Sequence, residues 1–188
     1  MQAAVALHAG ELVTAPLPPE ASRDTAVVDA ARQGDHQAFS HLYDDYARMV
    51  HGILMARVPR DEVDDLVQDV FFAAFRKLRT LRDSAAFPGW LAMIARNRAA
   101  DYHRRAPEIA ELPEDLPASN VNDAEAAAIL AVVRTLPEAY RETLVLRLVE
   151  GMTGPEIARR TGLTAASVRV NLHRGLKQLR EKLGGRHA

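Results

Sequence analysis

Cysteine is absent from all 188 residues, which excludes disulfides, thiolate zinc sites and any thiol redox switch within the chain and is compatible with a reducing, cytoplasmic home. A secretory leader is not expected either: no base precedes Arg23, and Glu11 interrupts the apolar N-terminal stretch, which also carries Pro16, Pro18 and Pro19. Nothing approaches the roughly 20 apolar residues of a membrane span, so no membrane insertion is expected. Phosphate-binding loops and nucleophile elbows are missing, and no acid pair stands out, so the chain reads as a non-enzyme. His36, His41 and His51 lie near Asp44 and Asp45, but His36 and His41 are five residues apart and miss the helical ligand spacing; neither metal nor cofactor is expected.

Net charge is also nearly absent, at −1, and that average misleads. From Glu125 to Ala188 eleven Lys and Arg face six acids, whereas residues 106–124 hold five acids, three prolines and no base. A basic C-terminal module behind an acidic linker has the local positive surface that phosphate binding requires. At 19 residues with little periodicity, 106–124 is long for a loop inside one compact domain.

What is present is helical periodicity, strongest from Asp61 to Arg105. Val63, Leu66, Val67, Val70, Phe71, Ala74 and Leu78 recur at spacings of three and four, defining a core face. Acids crowd the start of this helix and Arg76, Lys77 and Arg79 its end, as the helix dipole favours. The opposite face carries Asp65, Gln68, Asp69 and Phe72, an acidic stripe with one aromatic. Pro88 suits the first turn of a following helix. Leu91, Ile94, Ala95 and Tyr102 form its buried side, and Trp90, Asn97, Asp101, Arg104 and Arg105 share another face, suited to stacking bases and holding phosphates.

Upstream, residues 1–24 read as a loose tail. A helix starting at Thr25 ends near Gly34, and Asp35 N-caps a longer one running to about Val58 that buries Phe39, Leu42, Tyr43, Tyr46, Val50 and Leu54. After the linker, helices are expected over Ala124–Thr135, Pro137–Glu150, Gly154–Thr161 and Thr164–Leu183, with Gly151 and Gly162 at their joints. This is helix-turn-helix punctuation: Ile157 and Ala158 face inward, Leu163 plugs the turn, and Val168, Leu172, Leu179 and Leu183 bury the last helix. The start of that helix would enter a major groove, presenting Thr164, Ala165, Ser167, Arg169, Val170, Asn171 and Arg174 to bases and phosphates. Lys177 and Arg180 lie farther along, toward the DNA backbone or solvent.

The runs DLVQDVFFAAF and FPGWLAMIARNRAADYHRR resemble region two of the bacterial extracytoplasmic-function (ECF) sigma factors, the small branch of the sigma-70 family. The C-terminal module, with EIA at Glu156–Ala158 and LHR at Leu172–Arg174, is similar to region four. The resemblance implies that the chain directs core RNA polymerase to promoters. Asp65, Gln68, Asp69 and Phe72 would be polymerase contacts. Trp90, Asn97, Asp101, Arg104 and Arg105 would serve single-stranded minus-ten DNA, and the last helix would read duplex minus-thirty-five DNA. An anti-sigma factor is a further implied partner. Val170, Asn171 and Leu176 depart from residues that many members carry, so promoter preference does not transfer.

The resulting expectation is an all-α chain of two small helical domains: a tail over 1–24, a region-two-like domain over 25–105, a linker over 106–124 and a region-four-like, four-helix domain over 125–188. The competing reading is a free-standing helix-turn-helix regulator, which commonly binds as a symmetric dimer; neither dimerisation heptads nor a sensor domain are in view.

Overall fold

The computed structural model describes residues 19–105 and 121–184. The tail up to 18, the linker from 106 to 120 and the last four residues lie outside the described residues.

The described chain is helical throughout: α1 (Pro19–Arg32), α2 (His36–Met55), α3 (Val63–Lys77), α4 (Phe87–Arg105), α5 (Val121–Arg134), α6 (Glu138–Leu148), α7 (Gly154–Thr161) and α8 (Ala165–Gly184). Three single turns of 3-10 helix, Arg60–Glu62, Leu78–Thr80 and Ser84–Ala86, lead into α3, close it and lead into α4. Among the described residues no helix is long and apolar enough to cross a membrane.

Local chemistry sets most of the boundaries. Asp35 caps α2, its carboxylate accepting from the backbone N–H of Gln37 at 2.8 Å and Ala38 at 3.1 Å. Thr153 and Glu156 form a reciprocal capping box on α7. The backbone hydrogen bond holds the Glu156 carboxyl below its ordinary range, helped by the Thr153 hydroxyl. Gly162 takes φ +75° to end α7 in a left-handed turn, where a Cβ would be strained. The helix-turn-helix punctuation therefore stands as expected.

Several boundaries differ from the sequence expectation: α5 begins at Val121, inside the stretch read as linker to 124, and α6 ends at Leu148, two residues short of Glu150. Helix α1 begins at Pro19, within the stretch read as tail, because proline suits a first helical turn. Helix α2 stops at Met55, three residues short of Val58, and the chain turns before Pro59 removes the next N–H. Pro137 is the N-cap residue of α6 and lies just outside the helix.

The core of the first four helices is built on Leu42, Tyr46, Val50 and Leu54 of α2, Val67, Val70, Phe71 and Ala74 of α3, and Leu91 and Ala95 of α4, all buried. Tyr43, expected in the core, is 39% exposed: it leans over Phe71 with ring centroids 4.6 Å apart and stays on the rim. The Tyr46 hydroxyl donates to Asp24 at 3.1 Å, and burial, then the Asp24 charge, raises its pKa far above the phenolic value. A small satellite core of Leu146, Met152, Ile157 and Val168 holds the two helices of the helix-turn-helix together.

The two helical groups are not held at a distance. One cluster of buried side chains runs from Val28 of α1 through Leu144 and Val145 of α6 to Leu179 of α8, so a single core crosses the seam between α2/α4 and α6/α7.

Candidate docking and nucleic-acid interfaces

Because α3 turns its apolar stripe inward, Asp65, Gln68, Asp69 and Phe72 all stand on its exposed side, with Phe72 61% open to solvent. Arg76, one turn on, lies 5.6 Å from the centre of the Phe72 ring and screens one face of it. Beside this stripe Phe39, Tyr43, Phe71, Phe72 and Phe75 line an open groove of about 540 Å³, with Gln68 and Asp69 also on its walls. The sequence pattern found the carboxylates and Phe72 but not this groove, since Phe39 and Tyr43 come from α2 and meet α3 only in the fold. An apolar groove flanked by carboxylates fits a protein helix with apolar and basic side chains.

Helix α4 is unbroken from Phe87 to Arg105, as the shared face requires. Asn97, Arg104 and Arg105 are exposed, whereas Trp90 is half-buried against Phe87 at 5.9 Å and Asp101 is engaged by the Arg104 guanidinium. Asp101, Arg105, Arg98, Tyr102, Leu66 and Asp69 surround a recess of about 220 Å³ that joins the basic end of α4 to the acidic stripe of α3. The two surfaces are therefore contiguous.

In α8 and the turn before it, Thr164, Ala165, Ser167, Arg169, Val170 and Arg174 are exposed, with Val170 at 42%, and Asn171 is half-buried. Thr164 and Ser167 also steady the start of the helix. The Thr164 hydroxyl accepts the Ser167 N–H at 3.1 Å and donates to its hydroxyl at 2.8 Å, capping the helix that carries the arginines. Val168 is buried beneath them and fixes which side of α8 faces outward. This is the geometry of a helix offered to a major groove.

Sequence reasoning passed over a second set of charged residues. Glu142, 3% exposed on α6, receives Arg96 of α4 through two parallel hydrogen bonds of 2.7 and 3.1 Å and Arg57 at 2.6 Å. Burial alone would raise its pKa, but the Arg96 hydrogen bonds and the two guanidinium charges outweigh it and hold the carboxyl below its ordinary range. Arg57 also reaches Glu138 at 2.8 Å, and His51 of α2 lies 2.6 Å from Glu150. Arg134 of α5 donates to the carbonyls of Met55 and Val58, closing the end of α2. Arg160 of α7 donates to the Asp45 carbonyl and lies 5.1 Å over the Tyr46 ring.

With this geometry described, comparison with known proteins is direct. The profile described as Sigma-70 region 2 matches residues 42–107, and Sigma-70, region 4 matches residues 126–179. The ECF RNA polymerase sigma-E factor of Haemophilus influenzae is 30% identical over 85% of this chain and 95% of its own length. The chain belongs to the sigma-70 family, as an ECF sigma factor. The RNA polymerase sigma factor NccH of Alcaligenes xylosoxydans xylosoxydans is 32% identical over 84% of the chain and 93% of that protein. CarQ of Myxococcus xanthus is 33% identical over 81% and 93%. Among solved structures, CnrH in complex with the cytosolic domain of CnrY aligns with a TM-score of 0.63 at 26% identity, covering 86% of this chain and 97% of that one. This sigma factor thus has relatives across both helical groups, and a free-standing regulator is not favoured.

Proposed function

We propose that the chain works in the cytoplasm as a non-catalytic initiation factor that divides its labour among three surfaces. Asp65, Gln68, Asp69 and Phe72 dock core RNA polymerase, with the aromatic groove beside them receiving an apolar side chain of the partner. Trp90, Asn97, Asp101, Arg104 and Arg105 serve the separated strand at the minus-ten element. Thr164, Ala165, Ser167, Arg169, Val170, Asn171 and Arg174 face the minus-thirty-five duplex, where Arg169 and Arg174 suit guanine edges or phosphates. Extruding a base costs a few kcal/mol, an amount that stacking at about 1–3 kcal/mol per base offsets.

The observation that carries this reading is the exposed face of α3, where three polar side chains and a 61% exposed phenylalanine border an aromatic groove. Exposure of such a patch is costly in water unless a partner covers it. An anti-sigma factor is a further partner, in keeping with CnrH having been solved in complex with the cytosolic domain of CnrY.

The test is binding of Asp69→Ala to bacterial core polymerase. Weaker binding with unchanged thermal unfolding is expected, because Asp69 is exposed. Unchanged affinity would remove Asp69 from the docking surface.

A further inference from the structure

We infer that α1 is a positioning helix for single-strand capture: Asp29 and Arg32, acting through Ser84, fix the entry of α4 and hold the Trp90 ring ready for a base. The inference deepens the function proposed above and rests on its assignment of Trp90 to the separated strand.

The chain between α3 and α4 has little to anchor it. From Arg79 to Ala86 only Leu81 and Ser84 are buried, and the rest is exposed. An apolar anchor such as Leu81 keeps a segment against the core without fixing its direction, because hydrophobic attraction is non-directional. Ser84 supplies the direction. It is 7% exposed, and its hydroxyl donates to the Asp29 carboxylate at 2.5 Å. Arg32 Nη1 reaches the same two groups, the Asp29 carboxylate at 3.1 Å and the Ser84 oxygen at 3.2 Å. These three side chains close a triangle between α1 and a loop more than fifty residues away in sequence. Val28 and Ala31, buried in the core, set the phase of α1 that brings Asp29 and Arg32 to the loop.

What the triangle gives up shows what it selects. Arg32 Nε is buried and finds no acceptor among the described residues. An unmet buried donor is unfavourable, so the guanidinium is oriented by Asp29 and Ser84 and not by satisfaction of all its own donors. Alanine at position 84 would fill nearly the same space with no polar group to desolvate. A serine there, hydrogen-bonded in a region of low dielectric, specifies one position of the loop.

From Ser84 the restraint passes into α4. Phe87 opens that helix fully buried, with its ring 5.2 Å from Tyr46 on one side and 5.9 Å from Trp90 on the other. Helix α1 supports this stack as well, because Asp24 accepts the Tyr46 hydroxyl. Two routes therefore lead from α1 to Trp90, one through Ser84 and the turn Ser84–Ala86, the other through Tyr46 and Phe87. A ring already held in one rotamer loses no further freedom when a base stacks on it, whereas ordering a loose side chain on binding weakens affinity by roughly two- to tenfold. None of these groups belongs to the acidic face of α3, so polymerase docking should be independent of them.

Trp90 is the one tryptophan of the chain, which makes its signal specific. Full-length protein labelled with fluorotryptophan gives a single fluorine resonance, both free and bound to unlabelled bacterial core polymerase. Asp29→Ala and Ser84→Ala should each shift or broaden that resonance. Both should also weaken capture of a dye-labelled single-stranded DNA of randomised sequence by the holoenzyme, measured against core polymerase alone, by about fivefold. Polymerase affinity and helix content by circular dichroism should hold. Asp29→Asn, whose amide oxygen still accepts from Ser84, should recover most of the resonance position and of the capture. An unmoved Trp90 resonance in the alanine variants, or an asparagine variant no better than alanine, would overturn the positioning role. A resonance that moves while capture stays at its original level keeps the link from α1 to Trp90 and removes Trp90 from the separated strand.

Discussion

Two groups of carboxylates in this sigma factor meet opposite fates. Asp65 and Asp69 stand exposed along α3, whereas Glu142 is buried and Glu150 nearly so, each within reach of a basic side chain across the seam. An acid left in water is available to another molecule; an acid enclosed by arginine is committed to its own chain. The charge is the same, and the difference lies in what each helix packs against. Helix α3 packs its apolar face on α2 and α4 and has nothing above its acids, while α6 lies between the satellite core and the α2 surface.

The sharpest way to break the comparison is Glu142→Ala, which strips Arg96 of its carboxylate and leaves Arg57 only the exposed Glu138. Loss of one partner from a buried ionic group costs about 3–5 kcal/mol, and hydrogen exchange at the α6 and α7 amides should report it. Replacing Arg57, Arg96 and Glu142 with Met, Met and Leu should restore most of that loss, since apolar substitutes of similar volume are often neutral. Next in size, Phe72→Ala should weaken binding to core polymerase by about 2 kcal/mol, roughly thirtyfold, in a competition assay, with unfolding temperature unchanged because the ring is exposed. Arg169→Ala should cost about 1–3 kcal/mol on an upstream duplex carrying its preferred base, measured by anisotropy with the holoenzyme, and leave polymerase affinity alone.

The smallest effect is protonic. The Glu150 hydrogen bond raises the His51 pKa, with burial opposing it and Asp64 adding to the rise while Arg60 counters it; the Arg48 guanidinium also approaches Glu150. A raised imidazole contributes stability that is full below its ordinary value of 6.5 and is lost as pH climbs through the raised one. Glu142 has the opposite sign: its lowered pKa contributes above the ordinary 4.5 and is lost as pH falls through the lowered one. The seam should thus be tightest between pH 4.5 and 6.5, and loosen as pH climbs through the raised His51 value or falls through the lowered Glu142 one. Half-exposure of His51 limits the alkaline part to under about 1 kcal/mol. Energy transfer across the seam as a function of pH, with His51→Gln as the control that flattens the alkaline limb, measures it.

Much of this was legible in the residues. The α3 stripe, the cap at Asp35, the φ-positive turn at Gly162 and the outward face of α8 follow from local rules: a period of 3.6, a side-chain acceptor before a helix, a residue without Cβ. Tyr43 was misplaced because its helical phase fits the core, yet Phe71 already fills the space beneath it. Arg57, Arg96, Glu142 and Glu150 could not be paired from spacing, being 46 to 99 residues from their partners across the seam.

Sequence by itself determined which helices form, which side of each is apolar, and which side chains of α3 and α8 are left on the outward face, because those properties depend on neighbours three or four residues away. Only the tertiary structure decided that the two groups close on one another, that Gly52 and Gly89 are points of contact, and that Glu142 is a lock between two arginines. Burial of a charge depends on what arrives from far along the chain, and no local pattern records that arrival.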